Sequence, residues 1–276
     1  MKNLFVAIAI CLLCFTQSSA DITQWMVDMS SHNSGVQVVK GMTFEGNNSK
    51  IEMIIHRLTI GRYTQKKDAD QLFNKRSFET YSEGLYFGAY HVLYPSSEPK
   101  PQAQGFVRAI REQVTPGQKV LMALDWEHVC VKWNYNEKGA KSSCAQEGVV
   151  PPSFVIEFAK EVERLTGNKP IIYTSARELK LFRKYFDSNP QVVSELTRYP
   201  LWIARYEGKF GYGFPTEEEI HPWYDWTFWQ FAEGKKLGPT KRISPKIKDN
   251  PIDTNFFNGS REEIETFFKT YAWDCR

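Results

Sequence analysis

Strand-length apolar runs alternate with amphipathic helical stretches along most of this chain, and that alternation is the pattern expected of an α/β architecture. Ala103, Phe106, Val107, Ile110 and Val114 recur at helical spacing until Pro116-Gly117 stops the segment. Pro152 suits a helix start, Phe154, Val155, Phe158, Val162 and Leu165 form the stripe that follows, and Gly167 suits its end. A further helix is predicted over Arg177 to Phe186. Ser260 and Glu263 have capping-box spacing ahead of Ile264, Phe267 and Phe268, so the last helix is expected to pack behind the strand that carries Asp253. The sequence shows no short repeat, low-complexity tract or long linker, which points to one domain.

The run Lys119-Val120-Leu121-Met122-Ala123-Leu124 reads as a buried strand, and it leads into Asp125-Trp126-Glu127. Alternation along a strand sends Asp125 and Glu127 to the face of Ala123, opposite Leu124 and Trp126, with the two acidic Cα atoms roughly 6.6 Å apart. Two carboxyls on one face suit glycosidic-bond hydrolysis, which needs a protonated carboxyl at the leaving oxygen and a second group to stabilise or attack the developing cation. Like-charge crowding helps keep one of them protonated. A solvated strand rim has the same spelling, so the other strand ends matter. Gln24 to Asn33 contains a short apolar strand ending in Asp28, and Pro251 to Phe257 reads the same way, with Asp253 at its end. In a closed barrel such strand ends converge at one mouth.

Taken in order, Asp28-Met29-Ser30-Ser31-His32-Asn33, Ile54-Ile55-His56-Arg57, Gly88-Ala89-Tyr90-His91, Asp125-x-Glu127, Pro170 to Ser175, Trp202 to Tyr206, Trp229-Gln230-Phe231 and Ile252 to Asn255 resemble glycoside hydrolase family 25, the muramidases often called lysozymes. The resemblance runs through nearly the whole mature chain. It implies an irregular, TIM-like β/α barrel that cuts the β-1,4 bond between N-acetylmuramic acid and N-acetylglucosamine in peptidoglycan, with no metal or organic cofactor. Carried over position by position, it implies Glu127 as general acid, accompanied by Asp28, Asp125 and Asp253. Either Asp125 orients the substrate's own acetamido group or an acidic partner activates water. Tyr90, Tyr173, Trp202 and Tyr206 lie in the family-like segments and are the candidates to stack on sugar rings, with core packing as the competing role.

Two departures from the family pattern stand out. Where the family has a basic residue, any residue, Ser or Thr, Glu and Gly, this chain reads Arg57-Leu58-Thr59-Ile60-Gly61, with Ile60 in the acidic place. A polar insertion, His128 to Val150, follows the Asp125-x-Glu127 strand. Both are expected to border the cleft, and they motivate an alternative: a glycan-binding barrel that lost turnover. A third reading keeps the chemistry but makes the protein an exported antibacterial effector, with a cognate inhibitor or immunity protein as partner.

Residues 1–20 have the form of a secretory signal: Lys2, an apolar stretch from Leu4 to Phe15 too short to span a bilayer, and Ser18-Ser19-Ala20. The catalytic domain is then residues 21–276, exported to a periplasmic or extracellular space. Leu12-Leu13-Cys14 is a poor lipidation site because Leu13 is bulky. No later segment is apolar enough for stable membrane insertion. Cys11 and Cys14 leave with the signal. Cys130 and Cys144 lie within the insertion, flanking its polar stretch Val131 to Ser143, and are expected to form a disulfide contributing roughly 3 kcal/mol, with Cys275 the odd thiol. No Cys-x-x-Cys or His-Glu-x-x-His spacing supports a metal site, and the five scattered histidines are expected in the core or cleft. A net charge of +3 is too mild to argue nucleic-acid binding. Locally, Lys235, Lys236, Lys241, Arg242, Lys246 and Lys248 form either a solvated loop or an attractor for anionic cell-wall polymer. The sequons Asn47-Asn48-Ser49 and Asn258-Gly259-Ser260 matter only in a glycosylating pathway.

Overall fold

The computed structural model describes residues 25–43, 50–206, 213–233, 246–247 and 250–275. The signal-like segment, the sequon at Asn47 and most of the basic run after Lys235 lie outside the described residues. In chain order the elements are β1 (Trp25–Met29), β2 (Ile51–Ile60), α1 (Phe73–Ser82), β3 (Tyr86–Val92), α2 (Pro99–Gln113), β4 (Lys119–Trp126), β5 (Val129–Tyr135) and β6 (Lys141–Gly148). They continue with α3 (Pro152–Thr166), β7 (Ile171–Ser175), α4 (Ala176–Ser188), α5 (Pro190–Leu196), β8 (Leu201–Ala204), α6 (Glu217–Ile220) and β9 (Phe228–Ala232). The last are β10 (Lys246–Ile247), β11 (Asn250–Pro251), β12 (Asp253–Phe257), α7 (Arg261–Tyr271) and β13 (Trp273–Asp274).

The strands close a barrel in the order β4-β3-β2-β1-β12-β9-β8-β7, with β7 pairing back onto β4. All are parallel to their neighbours except β12, which runs antiparallel to both β1 and β9. The α/β architecture expected from the alternation is therefore present, closed into the barrel that the resemblance implies, and the reversed strand is what makes it irregular.

Side-chain alternation sorts the apolar residues into an interior and an outer layer. On β4, Leu121 and Ala123 face the barrel interior with Met26, Met53, Ile55, Ile171 and Phe228. Val120, Met122, Leu124 and Trp126 face outward and pack with Phe106, Ile110, Phe158 and Val162 of α2 and α3. Burial on both faces explains why the run has no polar residue from Val120 to Leu124. The interior is tight: a Cβ on Gly88 would stand 2.8 Å from Ile55 Cγ1 and 3.3 Å from the Leu121 carbonyl oxygen. At the end of α3, Gly167 takes φ 76° and closes the helix. An L-residue there costs roughly 1–2 kcal/mol.

Three expectations need correction. The capping box of α7 is present, Ser260 Oγ accepting from Glu263 N at 3.2 Å and Glu263 Oε2 from Ser260 N at 2.7 Å. The helix does not lie along the back of β12, however, and meets that strand at its last residue, Phe257. Phe268 lies on Tyr86 at 4.4 Å between centroids, and Phe267 meets Phe228 and Phe257 at 5.4 and 5.8 Å. Tyr86 and Phe228 open their strands and Phe257 closes the reversed β12, so α7 seals the barrel floor, opposite the strand ends that carry Asp28 and Asp125. The antiparallel course of β12 delivers the chain to that floor. The insertion after Glu127 is not an irregular loop but an exposed hairpin, β5–β6, carrying the expected Cys130–Cys144 disulfide with Cα atoms 5.6 Å apart and leaving Cys275 outside it. Among the histidines, His56 and His91 are core residues and burial pulls each down to about 4. His221 departs from the expectation and pairs with Asp187 near the surface at 3.3 Å. Among the described residues, no helix is long and apolar enough to cross a membrane.

Candidate active site

The upper mouth of the barrel gathers what the sequence disperses. Asp28, near the end of β1, is the register partner of Asp253. Asp253 begins its strand instead of ending it, contrary to the sequence reading. Because β12 is antiparallel, its start lies where the parallel strands end, and convergence survives the reversal. Arg57 comes from β2, Tyr90 from β3, Asp125 from β4, Tyr173 from β7 and Gln230 from β9, and Glu127 follows one residue beyond β4. Together with Ser30, His32, Asn33, Trp202, Tyr206 and Glu233 they line a cleft of about 600 Å³. Every carboxylate and aromatic residue singled out from the sequence is in that lining.

The aromatics divide into two kinds. Tyr173 and Trp202 are 7% and 2% exposed, and their polar atoms are engaged. Tyr173 and Tyr206 each donate a hydroxyl to Gln230 Oε1 at 2.9 Å, and Trp202 Nε1 donates to Asn255 Oδ1 at 2.7 Å. An indole N–H can only donate, so the Asn255 amide must turn its NH₂ the other way, while Gln230 accepts the two hydroxyls at its oxygen and presents its NH₂ to Asp28. Both NH₂ groups then converge on Asp28 Oδ2 at 2.8 Å. Gln230 and Asn255 lay in family-like segments but were assigned no role. The signal that finds them is a polar side chain at an inward position of an otherwise apolar strand.

Crowding several carboxyls in one recess holds protons on them, because few can ionise together away from bulk water. Burial and the neighbouring Asp253 push Asp28 up to about 8, against the hydrogen bonds from Asn255 and Gln230. Burial raises Asp125 to about 7, with Arg57 opposing and Glu178 assisting. Burial, then Asp125, Glu178 and Asp28, hold Glu127 well above the usual carboxylate range, while Arg177 opposes. Such a recess can deliver a proton near neutral pH. Asp125 Oδ1 is buried and has no hydrogen-bond partner among the described residues. Arg57 is fixed by Ser31 Oγ at 3.0 Å and Asp70 Oδ2 at 2.8 Å.

Ile60 does not border the cleft as expected. It is exposed and lines a separate depression with Thr59, Asp68 and Asp70. Glu178, unmarked in the sequence, is a buried carboxylate beside the site. Among the described residues, no group of three or more His, Cys, Asp or Glu is arranged to hold a metal ion.

Comparison with known proteins agrees with this geometry. The family model described as Glycosyl hydrolases family 25 matches residues 27–238, a stretch that carries Asp28, Asp125 and Glu127 and ends before Asp253. The uncharacterized protein YegX of Escherichia coli K12 is 24% identical over 241 residues, covering 87% of this chain and 72% of its own length. The spore cortex lytic enzyme SleM of Clostridium perfringens superposes with a TM-score of 0.61 at 20% identity, over 90% of this chain and 71% of that one. A family GH25 lysozyme from Aspergillus fumigatus gives 0.56 at 20% identity, over 88% and 97% of the two chains. At this identity the structural likeness speaks for the barrel, and the family match speaks for the chemistry. The chain belongs to glycosyl hydrolases family 25 and is a glycoside hydrolase.

Proposed function

We propose that the protein is an exported muramidase that hydrolyses the β-1,4 bond between N-acetylmuramic acid and N-acetylglucosamine in peptidoglycan. The observation that carries the reading is the set of carboxyl groups, held at different levels of acidity, in one aromatic-walled cleft. Glu127 gives its proton to the leaving oxygen as the glycosidic bond breaks, and its carboxylate then takes a proton from the attacking water. Asp125 receives the N–H of the substrate's acetamido group. Its unpartnered Oδ1 favours this role over activation of water, since a buried acceptor without a donor calls for one from the ligand. Asp253 stabilises charge at the anomeric carbon beside Asp28, which is aimed by Gln230 and Asn255 and keeps its proton near neutral pH. Tyr90 and Tyr206 offer faces to the sugars, while Tyr173 and Trp202 chiefly brace the amides.

The names of the similar proteins are in keeping with a peptidoglycan substrate, SleM being a spore cortex lytic enzyme and the Aspergillus protein a lysozyme. The signal-like residues 1–20 and a disulfide in the mature chain support export. Ile60 is set apart from the cleft, so its replacement of an acidic residue removes no carboxylate from the lining, which weighs against a barrel that only binds. The test is digestion of purified cell wall by residues 21–276. Release of reducing ends supports the muramidase, and retention on the wall with no release supports the binding barrel instead.

A further inference from the structure

Glu178 has no part in the chemistry above, yet it is 2% exposed and sits in the first turn of α4. A carboxylate buried that deeply is costly unless it is matched by donors, and both of its side-chain donors are tied to the neighbourhood of the general acid. His128 directly follows Glu127 and donates from Nδ1 to Glu178 Oε1 at 2.6 Å. Ser175 closes β7, caps α4 and gives its hydroxyl to Glu178 Oε2. The β4–β7 ladder pairs Trp126 with Thr174, whose Oγ1 also bonds the Trp126 carbonyl at 2.8 Å. Ser175 and Glu127 are thus the residues that follow the last pair of this ladder, and Glu178 is gripped by His128, next to Glu127, and by Ser175.

We infer that Glu178 is a positioning residue for the general acid: its carboxylate, fixed by His128 and Ser175, holds the proton on Glu127 until the leaving oxygen takes it. The inference rests on the assignment of Glu127 under the muramidase reading. Asp125 and Asp28 also face Glu127, but they line the cleft and their surroundings change when sugar binds. Glu178 is not in the lining, so its influence persists in the substrate complex. The other groups that interact with Glu127 are the hydroxyls of Tyr173 and Tyr206 and the guanidinium of Arg177. Arg177 opposes Glu178 and reaches Glu147 of β6 at 3.6 Å, which links the hairpin to the same balance.

Glu178→Gln keeps the shape and one of the two accepting oxygens and removes the charge. The alkaline limb of kcat/KM on solubilised glycan strands should move to lower pH by about one unit, since a like charge has been removed from beside an acid. KM should change by less than about twofold. Arg177→Gln should move the limb the other way. A ¹³C-carboxyl NMR titration of Glu127 in the whole mature protein, which needs no turnover, should show the same displacements. Should Glu178→Gln fail to fold, Glu178→Asp withdraws the charge and gives a smaller displacement of the same sign. A titration and limb that stay in place in a folded, active variant overturn the inference, as does a loss of rate with the pH profile unmoved. A wild-type protein that shows the titration shift but cuts no glycan removes the muramidase reading while leaving the grip of Glu178 on the Glu127 proton in place.

Discussion

Asp28 carries two opposing loads: burial beside Asp253 favours its neutral form, while the Gln230 and Asn255 amides favour its charge. Burial prevails, and the group stands at about 8 in the folded chain against an ordinary 3.8. The folded state therefore holds a proton that the unfolded state has released, so the contribution of Asp28 to stability is full below about pH 4 and is lost as pH rises through about 8. The thermal stability of the mature protein should accordingly fall from acid to mildly alkaline pH, and Asp28→Asn should flatten that slope while lowering turnover. An unchanged slope in Asp28→Asn would show that the strain lies elsewhere. Glu127→Gln should cut turnover by about 100-fold or more in a protein that still folds, because the amide fills the same space but cannot deliver a proton. Asp125 and Glu127 were legible in the sequence because strand alternation alone puts them on one face. Gln230 and Asn255 were not, because their role is defined by contacts to Asp28 across 202 and 227 residues of chain.

At the level of elements, periodicity revealed where helices and buried strands lie but not where each one lands. The α7 capping box marks a helix start, and nothing in it says that the apolar face covers the barrel floor. Phe268→Ala should remove that seal and destabilise the protein by about 3–5 kcal/mol, measured by denaturant unfolding, with the cleft residues untouched. A cost below 1 kcal/mol would mean that the floor repacks. The β5–β6 hairpin escaped notice for another reason: its strands are largely exposed, so no alternation of apolar residues announces them. Cross-strand pairing, the disulfide and Lys141 over the Trp133 ring at 4.8 Å hold it instead. Non-reducing peptide mapping should return a Cys130–Cys144 peptide, and Cys130→Ser with Cys144→Ser should expose the hairpin amides to hydrogen exchange well before the barrel melts. A linkage from either cysteine to Cys275 would contradict the pairing.

For the whole molecule, the alternation of strands and helices was enough to specify an α/β architecture that buries both faces of runs such as Val120 to Leu124, and the closure into a barrel came from the family resemblance. The direction of the closing strand was not legible, because a strand's pattern of side chains reads the same both ways. That one reversal sets Asp253 against Asp28 and sends α7 to the floor, so the last thirty or so residues were placed correctly at the mouth and wrongly below it. The account as a whole depends on a single chemical event, cleavage on the muramic acid side of the glycan by the proton of Glu127. Borohydride reduction of the ends released from purified peptidoglycan identifies the sugar at each cut. The account predicts muramitol that accumulates with time for the mature protein and is absent for Glu127→Gln, whereas glucosaminitol, or no new ends from the folded parent, would contradict it.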